Sequence, residues 1–255
     1  MTERYAFRYT EFLIGQKETD KVFADTSSEN PLIADICARF KGAHFVNGKA
    51  SLSALGIRIQ KNDKSLQKVA EDVADYGADA LRVATLENKL PLSHNQKAAG
   101  WRLADKLWLL LKEKDLSAPD NWLLKTFYPT IETLQNQDFK NAWFCLKTIL
   151  NADHVPSGVA FGIYPFMPHL VQSIYPNIHS KMPTFWKFIQ SIKLPPRYFI
   201  EINGKRICDF YPTYSSDFEK IKKEALSFLS VQNKINGKEI KNSIHILGKG
   251  INFVI

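Results

Sequence analysis

A mainly α-helical body followed by a small α+β domain is the fold class predicted by this 255-residue sequence. Three observations predict it. From Ser65 to about residue 192, apolar residues recur at spacings of three and four, the period of helices buried on one face. At Lys193-Leu194-Pro195-Pro196 that period gives way to the two-residue alternation of "RYFIEI" and "KRICDFY", the period of half-buried strands. Positive charge gathers beyond about the same place. Residues 181–255 hold 13 lysines and arginines against 6 acids, an excess of +7 in a chain whose net charge is +8.

The elements follow in order. Residues 1–56 carry the weakest pattern and are assigned no fold. Within them "SENPLIADICARF" reads as a helix with Ser28 or Asn30 as cap and Leu32, Ile33, Ile36 and Phe40 inward, and Asn47-Gly48 reads as a hairpin or tight turn. Leu66, Val69 and Val73 share one helical face, which Tyr76-Gly77 closes with a glycine cap. Asp79 is expected to cap the next short helix, through Leu86. Residues 95–113 make an amphipathic helix with Ala99, Leu103, Leu107 and Leu110 as its stripe. "SAPDNW" restarts a helix, with Pro119 in its first turn and Leu123, Phe127, Ile131 and Leu134 inward. Asp138 caps another helix, carrying Phe139, Ala142, Trp143, Leu146 and Ile149-Leu150. "PFMPHLVQSIY" completes a bundle of about five helices. Beyond Pro196, Asn203-Gly204 is a two-residue hairpin turn, and Ser216 with Glu219 forms a capping box. That helix carries Phe218, Ile221, Ala225, Leu226 and Leu229 inward, and "SIHIL" and "INFVI" are two further strands, giving β-β-α-β-β.

Composition narrows the function classes. No apolar run reaches the length of a membrane span, and the N-terminus lacks the basic start and apolar core of a secretory signal. Cys37, Cys145 and Cys208 stand far apart and supply no metal-binding pair and no even disulfide set, so no metal or other cofactor is expected and a reduced cytoplasmic setting fits. A near-neutral body joined to a basic tail points to a polyanionic partner for the tail.

Several segments, in order, resemble one family. "YGADALRVATL" (76–86) is similar to the Y-G-A-D-[AT]-L-R segment that follows the second signature loop of class I aminoacyl-tRNA synthetases. "AAGWRLADKLWLLL", "DFKNAWFCLKTILN" and "YPFMPHLVQSIYP" resemble helices of the same enzymes, the last two in their helical anticodon-binding domain. The closing "IEINGKRICDFYP…SIHILGKGINFVI" resembles the small C-terminal domain of bacterial-type leucyl-tRNA synthetases. The resemblance runs from about residue 56 to 255. It implies three parts: the end of a catalytic domain with a degenerate signature loop (1–64), a helical anticodon-binding-like domain (65–192) and a small α+β domain (193–255).

Departures from the family are equally specific. None of the six histidines lies in an H-x-G-H motif. Fewer than 60 residues precede the loop, which leaves no room for the nucleotide-binding half. The K-M-S-K-S loop aligns to Arg58-Ile59-Gln60-Lys61-Asn62, keeping positive charge at the first and fourth positions and losing both serines. The family's E-E-L-W is Gln172-Ser173-Ile174-Tyr175, and the editing domain is absent. The resemblance thus implies a truncated paralogue that binds tRNA without autonomous aminoacylation, with no catalytic residue of its own. Arg58 and Lys61 are its nucleotide-binding remnant. Arg197, Lys205, Arg206, Lys238, Lys241 and Lys249 are its candidate RNA-binding residues, flanking the hairpin and clustering near the last strands. Two other roles suit the same sequence: one chain of a split leucine–tRNA ligase whose partner supplies the catalytic fold, or a scaffold recruited for protein interaction. His169 is expected to be a packed or capping residue, Asp79 and Arg82 a cap and a surface or interhelical ion pair, and Trp101, Trp108, Trp122 and Trp143 core residues.

Overall fold

Gly77, at φ 84°, stands between two helices and turns the chain from one into the next. The structure is a computed structural model that describes residues 12–13, 31–42, 50–51, 63–116, 122, 124–150, 155–213 and 217–255. The chain divides into two units, Met1–Ile192 and Lys193–Ile255. In the first, the described elements are β1 (Phe12–Leu13), α1 (Pro31–Phe40), β2 (Ala50–Ser51), α2 (Asp63–Tyr76), α3 (Ala78–Glu87), α4 (His94–Leu111), α5 (Tyr128–Gln135), α6 (Phe139–Ile149), α7 (Ala160–Ile163), α8 (Pro168–Ile174) and α9 (Ile178–Ser191). β1 and β2 pair in parallel. The expected turn at Asn47-Gly48 lies outside the described residues.

Local chemistry accounts for most of these boundaries. α1 buries Leu32, Ile36 and Phe40 of the expected stripe, while Ile33 is half-buried and the expected caps, Ser28 and Asn30, lie outside the described residues. α2 buries Val69 and Val73 and ends where the Gly77 N–H bonds the Val73 carbonyl at 2.8 Å. Ser93 and Gln96 form a reciprocal capping box at the start of α4: the Ser93 hydroxyl accepts the Gln96 N–H and Gln96 Oε1 accepts the Ser93 N–H. The buried stripe of α4 is rotated by one residue from the expected one. Gly100, Ala104, Leu107 and Leu111 face inward, while Ala99 is exposed. The cause is a close backbone approach to α3, since a Cβ on Gly100 would lie 2.3 Å from the Ala80 carbonyl oxygen. The small face of the helix makes the contact and sets its rotation.

α5 (Tyr128–Gln135) follows a 3₁₀ turn over Lys125–Phe127 and has Pro129 in its first turn; Pro119 and Leu123, expected in the first turn and inward, lie outside the described residues. Phe127, Ile131 and Leu134 are buried all the same. α6 is capped by Asp138, whose side chain accepts the Asn141 N–H, and it buries Phe139, Ala142, Trp143 and Leu146. α9 is absent from the sequence-based expectation because Pro183 sits inside it. Ile178, Met182, Phe185 and Ile189 nevertheless form one buried stripe. Trp122 and Trp143 are fully buried, whereas Trp101 and Trp108 are half-buried.

The second unit contains β3 (Tyr198–Ile202), β4 (Lys205–Phe210), α10 (Phe218–Leu226), α11 (Leu229–Ile235), β5 (Asn242–Ile246) and β6 (Gly250–Val254). The sheet order is β4-β3-β6-β5, with β3 and β6 parallel and the outer pairs antiparallel. Asn203 (φ 49°) and Gly204 (φ 75°) make the β3–β4 turn, both in the left-handed region that a two-residue hairpin favours. Two helices stand where one was expected. The chain breaks at Ser227-Phe228, Val231 takes the core position and Leu229, expected inward, is 70% exposed. Asp217 is the N-cap of α10 and accepts the Lys220 N–H at 3.2 Å; the predicted cap, Ser216, lies outside the described residues. Tyr198, Ile200, Ile202, Ile251 and Phe253 form the sheet side of the core, and Ile221, Ala225 and Val231 the helix side.

Candidate nucleic-acid interface

The strand register divides the candidate RNA-binding residues between the two ends of the sheet. Lys205 pairs with Ile202, which pairs in turn with Phe253. The Lys241 N–H bonds the Val254 carbonyl at 2.8 Å, so Lys241 lies at that same end. Lys238 precedes it on the segment leading into β5. Lys249 lies at the opposite end, in the β5–β6 turn, where its carbonyl accepts the Phe199 N–H at 2.9 Å. Arg197, next to the start of β3, is at that end too. All six residues are exposed.

The two arginines do not behave like the lysines. Asp209 holds both: Arg197 Nη2 lies 2.6 Å from Asp209 Oδ2, and Arg206 Nη2 lies 2.6 Å from Oδ1. Arg206 also donates through Nε at 2.7 Å. This arrangement depends on an irregularity in β4. Ile200 pairs with Cys208 but Glu201 pairs with Arg206, which leaves Ile207 as an extra residue. Strict alternation would put residues 206 and 209 on opposite faces; the bulge puts them on one. Lys205, Lys238, Lys241 and Lys249 have no ion pair among the described residues. Such exposed ammonium groups can neutralise phosphates and release counterions.

A second charged cluster is buried in the first unit and serves the fold. Asp35 and Arg39 of α1 form a bidentate pair at 2.8 and 3.0 Å, and Arg82 of α3 reaches the same carboxylate at 2.7 Å. Arg82 also donates to the carbonyls of Pro165 and Phe166. Burial pushes the Asp35 carboxyl up, but the two guanidiniums outweigh it and hold its pKa below the ordinary value. Arg82 is thus in an interhelical pair, fully buried rather than on the surface. Asp79 does not cap its own helix, whose N-cap is Gly77. Its Oδ2 accepts the Leu170 N–H of α8 at 2.7 Å, while Oδ1 is buried without a partner. Burial pushes its pKa up to about 7, against the pull of that N–H and of Arg82. His169, second residue of α8, is held neutral by burial and by the charges of Arg39 and Arg82. That environment suits a packed residue.

Arg58 and Lys61 lie outside the described residues. Among the described residues no group of three His, Cys, Asp or Glu side chains could hold a metal ion, and no helix is long and apolar enough to cross a membrane. Sequence reasoning missed Asp209 and Phe199, the ring beside which Arg206 rests. The alternation in "RYFIEI" and "KRICDFY" marks both segments as strands, yet it cannot show which way the bulge turns Arg206.

No protein-family model matches the chain. Among solved structures it is similar to a leucyl-tRNA synthetase of Agrobacterium radiobacter K84, agnB2 LeuRS, solved as a ternary complex with tRNA and LeuAMS. The TM-score is 0.42 and the identity 15%, over 76% of this chain and 31% of that one. The chain thus spans less than a third of the enzyme it matches.

Proposed function

We propose that this chain is a tRNA-binding module of the leucyl-tRNA synthetase type that does not itself aminoacylate. The observation that carries the reading is the charge of residues 193–255, 11 lysines and arginines against 6 acids. Lys205, Lys238, Lys241 and Lys249 are exposed there and outside any ion pair among the described residues. The ordered segments from residue 76 to residue 255 supply the family likeness. The missing H-x-G-H motif and the loss of both serines from the 58–62 loop supply the absence of adenylation chemistry. In this reading the helical unit lies along an RNA stem and the basic unit contacts backbone phosphates, recognising shape and charge more than sequence.

The test is binding of the purified chain to total tRNA and to a leucine tRNA transcript across a salt series. Affinity should fall steeply with salt, with the logarithmic slope reduced by about 0.9 for each phosphate contact removed. The triple substitution K238E/K241E/K249E should abolish binding at moderate salt. No measurable binding at low salt overturns the reading.

A further inference from the structure

One face of the C-terminal sheet is covered by α10 and α11; among the described residues the other carries no helix of its own unit. The register sets out its side chains in rows. Asp209, Phe199, Gly250 and Ile246 lie across the four strands, and Arg206, Glu201, Asn252 and Ile244 lie beside them. Phe199 reaches over Gly250: a Cβ at Gly250 would come within 2.7 Å of the Phe199 ring. The Arg206 guanidinium lies over the same ring, 5.4 Å from its centroid. Asp209 fixes it there while leaving it 59% exposed, and fixes Arg197 alongside. An aromatic ring lying on an open sheet, topped by a tethered guanidinium, offers a flat surface with positive charge at its rim.

The geometry points to a nucleobase-stacking site on this face: an unpaired base of a bound RNA stacks on the Phe199–Arg206 unit, with its phosphate on the outward edge of Arg206. This deepens the RNA-binding reading and rests on it. Three features favour RNA as the occupant. The unit has an excess of positive charge. A guanidinium has five donors, so it can bond Asp209 through one edge and a phosphate through another. Unpaired bases stack readily on aromatic rings and on guanidinium planes, whereas bases inside a duplex cannot. The bulge at Ile207 is what assembles the site, because it alone puts Arg206 on the face of Phe199 and Asp209.

The test compares the full wild-type chain with F199L, F199W and R206K, each first checked for unchanged circular dichroism and melting. The probes are a tRNA, a single-stranded oligoribonucleotide carrying 2-aminopurine, and a matched duplex. F199L should weaken single-strand binding about tenfold and remove the 2-aminopurine quenching seen with wild type, because stacking on one aromatic side chain is worth that much. F199W should keep both. R206K, which keeps the charge but loses the plane, should lose the quenching. Duplex binding and the salt slope should be unchanged in F199L, since no phosphate contact is lost. If wild type binds RNA with normal salt dependence but F199L quenches and binds as wild type does, the stacking site is overturned and the RNA-binding reading stands. If wild type binds no RNA, both fall.

Discussion

Asp79 on α3 accepts the backbone N–H of Leu170 on α8 at 2.7 Å, so that a carboxylate 91 residues away caps the start of a helix whose own N-cap residue, Met167, supplies no side-chain bond. The cap is buried, and burial pushes the Asp79 pKa up to about 7 from 3.8. Between those values the folded chain holds a proton that the unfolded chain has released. Folding stability therefore falls as pH rises from about 4 to 7 and levels off above, by at most about 1.4 kcal/mol per pH unit. D79N cannot titrate. The difference in unfolding free energy, wild type minus D79N, should decrease across that range in urea titrations at pH 4.5, 6 and 8. Because His169 titrates in both chains, its opposite slope cancels from the difference. D79A, which removes the acceptor as well as the proton site, should be less stable than D79N by about 1–2 kcal/mol at every pH.

Gly100 is where α3 and α4 touch by their backbones. Alanine is ordinarily the better helix former by about 1 kcal/mol. Here its Cβ would sit 2.3 Å from the Ala80 carbonyl oxygen and 3.0 Å from the carbonyl carbon, both backbone atoms that yield only if a helix moves. G100A should therefore destabilise by about 1–3 kcal/mol in spite of its propensity. An unchanged melting temperature would mean that the two helices separate without cost.

Glu87 joins α3 to α6 by accepting two bonds at one oxygen, from Trp143 Nε1 at 2.7 Å and from Lys147 Nζ at 2.7 Å. The indole is buried and has no water to turn to. E87Q keeps an acceptor for it and should cost under about 1 kcal/mol, the worth of the half-exposed ion pair. E87A strands the indole N–H and should cost about 1–3 kcal/mol. Chemical denaturation of the two variants separates these contributions, and equal losses would show that the ion pair rather than the indole bond matters.

These three sites also show where the sequence is legible and where it is not. Period and capping identify most described helices, because Asp138 acts on its own chain neighbours, within three residues. Asp79 looks like the same kind of residue and acts across the fold, which no local pattern can reveal. The stripe of α4 reads one position off because hydrophobicity marks the leucines while Gly100 decides the contact. α9 is hidden by Pro183, although its buried stripe is regular. In the second unit the hairpin and strands follow from alternation and Asn203-Gly204. The open face does not, since one bulge residue, Ile207, reverses the side on which Arg206 emerges. Lysines read as one cluster by their spacing near the last two strands lie at both ends of the sheet, because β5 (Asn242–Ile246) runs the length of the sheet between Lys241 and Lys249.

That division gives the RNA-binding reading a spatial test. Lys205 and Lys241 share one end of the sheet with Lys238 close by, whereas Lys249 shares the other with Arg197, which is already tied to Asp209. Exposed surface substitutions at these positions should change stability by no more than about 0.5 kcal/mol, so binding differences will report contacts rather than unfolding. A polyanion follows the greater density of unpaired positive charge, which is the Lys205–Lys241 end. K205E/K241E should reduce the salt slope of tRNA binding by about 2, and K249E by about 1 at most. At moderate salt the double variant should lose at least tenfold more affinity than K249E. If K249E is the more damaging, the RNA backbone runs past the β5–β6 turn instead, on the side where Arg197 stands.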